Sequence, residues 1–133
     1  MSSSGIQKTE DTQVRELIEN WARAVRAHDI DGILKHHAAE MLLFDVPGPV
    51  QSKGIDAYRA SWDLFFRWFG DAGVFELSEL TITAGDQVAF GHALIRCAGR
   101  DAKELNVRLT VGCRKIDGQW TITHEHHSEP STD

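Results

Sequence analysis

Two cysteines in 133 residues are too few for a disulfide framework, which points to a reducing compartment. Spacing also argues against a single bridge. If Gly99 to Ala102 turns a hairpin, Cys97 pairs near Glu104 and Cys113 lies 9 residues further on, roughly 30 Å at strand rise. Both are read as small apolar fillers. Proline is scarce at three residues, and no apolar run approaches the roughly 20 residues of a membrane span. The opening stretch Met1 to Lys8 has no apolar core of a signal peptide. A cytoplasmic location without membrane contact is the expectation. Cationic residues are in deficit too, with 14 Lys and Arg against 20 Asp and Glu and a net charge of -6. That is the wrong sign for a phosphate-backbone partner, so no nucleic acid is expected. Neither a Gly-x-Ser-x-Gly nucleophile motif, a Gly-rich phosphate loop nor a dinucleotide fingerprint is present, and no cofactor is expected.

What remains is an ordinary globular composition, 41% apolar and 26% charged, at a length that suits one domain. We place that domain at residues 9–128, after a Ser-rich disordered tail over 1–8 and before a short tail over 129–133. Val14, Leu17, Ile18, Trp21, Val25 and His28 recur at helical steps, with Thr9 as N-cap and Glu10 and Asp11 in the first turn. Asp29 caps a second, shorter helix with an inner face of Ile30, Ile33, Leu34, His37 and Met41. The apolar run from Met41 to Val46 reads as a short strand, ended by Pro47-Gly48-Pro49. A third helix follows Gly54, where Ile55, Tyr58, Trp62, Phe65, Phe66 and Phe69 keep helical spacing until Gly70. Four β-rich runs follow over roughly 74–83, 87–98, 104–115 and 119–127, separated by turn residues. Asp117-Gly118 is the strongest hairpin signal, because it tolerates the positive φ of a two-residue turn. Helices first and strands later give an α+β fold, with helices on one face of a curved sheet.

Seven His is the conspicuous excess, three of them at positions 124, 126 and 127. With a two-residue turn, Cys113 faces Ile122, Val111 faces His124 and Leu109 faces His126. Strict alternation puts Trp120, Ile122, His124 and His126 toward the helices, and Thr121, Thr123, Glu125 and His127 on the outer face. His124 and His126 then read as buried structural imidazoles, as ligand-binding groups, or as the start of a metal site with His92 or Asp45. Two ligands do not make a site, and no metal is predicted. His37 reads as a satisfied core residue and His36 as a surface one. Asp45, ending an apolar run before a Pro-Gly turn, is either a turn cap or a partly dehydrated carboxylate fit to accept a proton. The aromatic face with Trp62 and Phe66 is core by default, although part of it can line a pocket. Whether Arg96 or Arg108 faces that pocket depends on β-bulges.

The order helix, helix, short strand, helix and four long strands resembles the nuclear transport factor two-like superfamily, from about Thr9 to Ser128. Two segments carry the likeness: Ala27-His28-Asp29-Ile30-Asp31-Gly32-Ile33, and Asp117-Gly118-Gln119-Trp120-x-Ile122-x-His124-x-His126-x-Ser128. The C-terminal one of these resembles the ending of SnoaL-like domains and of the association domain of calmodulin-dependent kinases. The resemblance implies a cone-shaped curved antiparallel sheet wrapped by three N-terminal helices. It also implies a ligand pocket. The ketosteroid isomerases of that superfamily use an Asp base with an oxyanion hole of a Tyr and a protonated Asp. By register Asp45 stands at the base, Trp21 at the Tyr and Val111 at the Asp. Neither Trp21 nor Val111 supplies the original donor, so the resemblance does not extend to steroid isomerisation itself. The expected machinery is Asp45 as base, with His124 or Trp21 as the replacement donor. Trp21, His37, Trp62, Phe66, Val111, Trp120 and His126 are expected to line the pocket. The ligand would be small, apolar and carbonyl-containing, for isomerase, cyclase or lyase chemistry. The kinase likeness implies the alternative, a non-catalytic binding or association module. A homodimer through the sheet is expected on either reading.

Overall fold

Thr9 starts the first helix: its hydroxyl accepts from Thr12 N at 3.1 Å, in a computed structural model that describes residues 8–46, 48–70, 73–99 and 104–131. Helix α1 (Glu10–Arg26) buries Val14, Ile18, Trp21, Ala22 and Val25. Its apolar spacing runs on to His28, but His28 adopts φ 55° and turns the chain. Asp29 then caps α2 (Ile30–Leu34) by accepting from Gly32 N at 3.1 Å.

This second helix is shorter than its apolar stripe suggests. His36 sits at φ 58°, and its carbonyl accepts from Ile122 N at 2.8 Å, so the sheet captures the backbone before another turn can form. His37 and Met41 therefore belong to strand β1 (His37–Phe44), a correction to their helical placement. A two-residue strand β2 (Ser52–Lys53) pairs antiparallel with β1. Helix α3 (Ile55–Phe69) buries Tyr58, Trp62 and Phe69 and stops at Gly70, whose N–H bonds Phe66 O at 3.0 Å.

The long strands β3 (Val74–Ala84), β4 (Val88–Ala98), β5 (Glu104–Ile116) and β6 (Gln119–Ser128) follow within two residues of their expected bounds. The six strands form one curved sheet in the order β2-β1-β6-β5-β4-β3. The sheet is not wholly antiparallel as expected: β1 runs parallel to β6, because the chain leaves β1 through β2, α3 and β3 to β5 before returning beside it. Asp117 (φ 51°) and Gly118 (φ 78°) make the expected two-residue turn. The helices and the inner face of the sheet enclose a core in which Val14, Ile18, Ile33, Met41, Leu109 and Ile122 are at most 1% exposed. Burying each such side chain stabilises by about 1.5–3 kcal/mol. Among the described residues no helix is long and apolar enough to cross a membrane. Residues 1–7, Pro47, 71–72, 100–103 and 132–133, on which the expected N-terminal tail and one expected turn partly fall, lie outside the described residues.

Candidate functional site

One residue decides which side chains reach the interior. In the last hairpin Cys113 faces Ile122 as expected, but Gly112 faces His124, Val111 faces Glu125 and Leu109 faces His127. Thr123 is an extra residue on β6, a bulge whose hydroxyl bonds Gly112 O at 3.4 Å. Beyond it every side chain changes face. His124 and His126, expected inside, are on the outer face. The His124 Nδ1–H donates to Leu42 O at 2.8 Å, its ring meets the edge of Phe44, and His126 is exposed. Neither can serve a pocket on the helical side. Glu125 and His127, expected outside, point inward.

Glu125 is 0% exposed and accepts three bonds. Oε1 accepts from His127 Nε2 at 3.0 Å, and Oε2 accepts from His37 Nε2 and from the Tyr58 hydroxyl, each at 2.7 Å. Burial favours the neutral acid, but bonds from His127 and His37 and their charges more than reverse it, holding the carboxyl down at about 2. His127 Nδ1 lies 3.2 Å from Asp45 Oδ1. Both ring nitrogens thus face carboxylates, so both carry protons and the ring is an imidazolium. Burial pushes it down, yet the bonds to Asp45 and Glu125 outweigh that and raise it to about 9. Tyr58 accepts from Trp21 Nε1 at 2.9 Å, and burial together with the Glu125 charge pushes its hydroxyl well above its ordinary range.

Above this polar group opens a cavity of about 660 Å³. Trp21, Trp62, Phe65, Trp68 and Phe75 supply aromatic walls, and Ile95, Leu105 and Val107 line the sheet side. Among the described lining residues Asp45 and His127 carry the only charges. Asp45 directly follows β1, and its side chain is 31% exposed. Its two bonds, from Val46 N at 2.7 Å and from His127, both land on Oδ1, which leaves Oδ2 for a ligand.

Of the expected pocket residues, Asp45, Trp21 and Trp62 line the cavity. The Trp21 N–H is already given to Tyr58 and is not a free donor. His37 lies one layer below, satisfied by Glu125 and stacked on Tyr58. Phe66 turns along α3 to stack on His28 at 4.5 Å. Val111 and Trp120 are buried in the core away from the cavity, Trp120 donating to Glu10 at 2.8 Å. Arg96 and Arg108 face outward, Arg96 bonded to Glu76 and Glu104 and Arg108 to Ser128 and Glu129. Strand alternation missed Glu125 and His127, and helical spacing put Tyr58 on the inner face of α3 without marking it as part of the site. A glycine inside a strand, Gly112, was the available sign of the bulge.

Residues 14–132 match the family model of the SnoaL-like domain. No curated protein matches the chain. Among solved structures, an NTF2-like protein of unknown function from Pseudomonas putida KT2440 is 38% identical, with a TM-score of 0.87 over 96% of this chain and 92% of that one. A candidate dehydratase of the NTF2-like family from Streptomyces avermitilis is 14% identical, with a TM-score of 0.81 over 92% and 97%. A candidate ketosteroid isomerase from Shewanella frigidimarina NCIMB 400 is 17% identical, with a TM-score of 0.76 over 89% and 96%. The last two likenesses show the fold alone.

Proposed function

The chain belongs to the SnoaL-like domain family within the NTF2-like fold, and from its site we propose an enzyme that moves a proton next to the carbonyl of a small, uncharged substrate. The supporting observation is the Asp45–His127 pair at one end of an otherwise apolar cavity. Asp45 Oδ2 takes the proton from the carbon beside the carbonyl. The C–H electron pair moves into the enolate, and the proton rests on Asp45. As Asp45 becomes neutral, the imidazolium of His127 remains behind it and balances the negative charge forming on the substrate. Returning the proton to a different carbon completes an isomerisation. Giving it instead to a departing β-hydroxyl, which leaves as water, completes a dehydration. The aromatic walls hold the substrate and exclude water, and no Lys or Arg among the described lining residues is available to hold a carboxylate or phosphate. In this reading the three helices and the sheet form a cone whose wide end is the cavity mouth.

The test is a panel of cyclic ketones and β-hydroxy ketones assayed for isomerisation and dehydration. Asp45→Asn should lower kcat about 100-fold or more with KM little changed, within the usual range for losing a general base. Absence of turnover throughout the panel, or equal activity in the variant, overturns the proposal. A second reading, a binding module assembled from two copies, is favoured by the outer sheet face, where Val88, Phe90 and Leu94 are 61%, 47% and 43% exposed. Pairing through that face is compatible with catalysis inside.

A further inference from the structure

Glu125 never reaches the cavity, yet it is the most heavily bonded carboxylate at the site. A fully buried carboxylate is costly unless every lone pair that matters is matched, and here donors arrive from three elements. They are His127 on β6, His37 on β1 and Tyr58 on α3. Tyr58 is held in turn by the indole N–H of Trp21 on α1. His127 is wedged between the Trp21 and Trp62 rings, each 6.4 Å away, so it cannot swing to another acceptor.

From this geometry we infer that Glu125 is a positioning residue, the fixed negative charge that keeps His127 doubly protonated and aimed at Asp45 Oδ1, so that Asp45 Oδ2 stays turned to the substrate. The inference rests on the reading of Asp45 as the base, and extends it to a residue that touches no substrate. The titratable groups facing this pair are Asp45 and His37 from β1 and its end, Tyr58 from α3, and Cys113 from β5, whose thiol feels the Glu125 charge. None of the described partners of Glu125 or His127 is a Lys or Arg. His127 therefore owes its second proton to Asp45 and Glu125 alone, and Glu125 is the one sealed from water.

Nitrogen-15 NMR of the histidine rings tests this without a substrate. In the wild-type protein at pH 7.5 both ring nitrogens of His127 should be protonated, and the ring should titrate near 9. Glu125→Gln keeps an acceptor but removes the charge, and should bring the titration down toward the ordinary 6.5. Glu125→Asp keeps the charge and should retain most of the elevation. With a turned-over ketone, Glu125→Gln should lower kcat at pH 8 by up to about 30-fold, the ratio of protonated His127 at the two titration points, and recover most of it at pH 6. KM should barely move. A wild-type His127 that titrates near 6.5, or a titration unchanged by Glu125→Gln, overturns the inference whatever the turnover. Should Glu125→Gln fail to fold, the wild-type and Glu125→Asp titrations still decide. If His127 responds as expected but kcat follows neither it nor Asp45→Asn, the positioning holds and the base assignment falls.

Discussion

Alkaline pH should unlock this fold at His127 before it disturbs anything else in the core. The folded ring holds its proton to about 9 against an ordinary 6.5, which corresponds to about 3 kcal/mol of stability. Because the folded value lies above the ordinary one, that contribution is complete below pH 6.5 and is lost as pH rises through about 9. The assay is urea unfolding followed by tryptophan fluorescence between pH 6 and pH 9. With a slope of about 2 kcal/mol per molar urea, the midpoint should fall by about 1.5 M across that window. Stopping at pH 9 limits the contribution of Cys97 and Cys113, whose thiols burial pushes up to about 11 and about 12. The same series on His127→Gln subtracts every other titrating group. Wild type and His127→Gln falling in parallel would refute the ion-pair reasoning. On the acid side Glu125 behaves oppositely: held down at about 2 against 4.5, its contribution is complete above 4.5 and is lost as pH falls toward 2.

Two further expectations concern the cavity and the outer face. Ala57 lines the cavity from α3, so Ala57→Phe should fill it and weaken binding of 2-tetralone, an uncharged aromatic ketone, by tenfold or more with thermal stability nearly unchanged; unaltered binding by calorimetry would place the ligand elsewhere. Phe90 is 47% exposed on the outer sheet face, and Phe90→Asp should convert a wild-type dimer to monomer in sedimentation velocity. A wild-type protein that is monomeric at tens of micromolar would remove the assembly reading.

Much of this architecture was legible in residue spacing, for reasons that are local. Thr9 and Asp29 are strong caps with an apolar stripe behind them, and Gly70 and Asp117-Gly118 tolerate the backbone they must adopt. The failures occurred where a non-local contact overrode a local pattern. His37 fits a helical stripe, but the bond from Ile122 N to His36 O brings the backbone into the sheet one turn earlier. Strand alternation was a sound rule as far as Ile122 and inverted after Thr123, exchanging the inner pair His124 and His126 for Glu125 and His127. A single inserted residue therefore relocated the histidine half of the site, while Asp45, which directly follows its strand, lines the cavity. A carboxylate flanked by histidines reads as solvent-facing in sequence because its partners, His37 and Tyr58, lie 88 and 67 positions away.

The proposed function stands on Asp45 as the base that takes a proton from carbon at the polar end of an apolar cavity. Deuterium uptake by 2-tetralone in heavy water, followed by proton NMR, measures that step directly without requiring the natural substrate. Wild-type protein should exchange the acidic C–H at least about 100-fold faster than Asp45→Asn under the same conditions. Equal exchange rates in the two proteins, with binding of the ketone confirmed in both, would contradict the account.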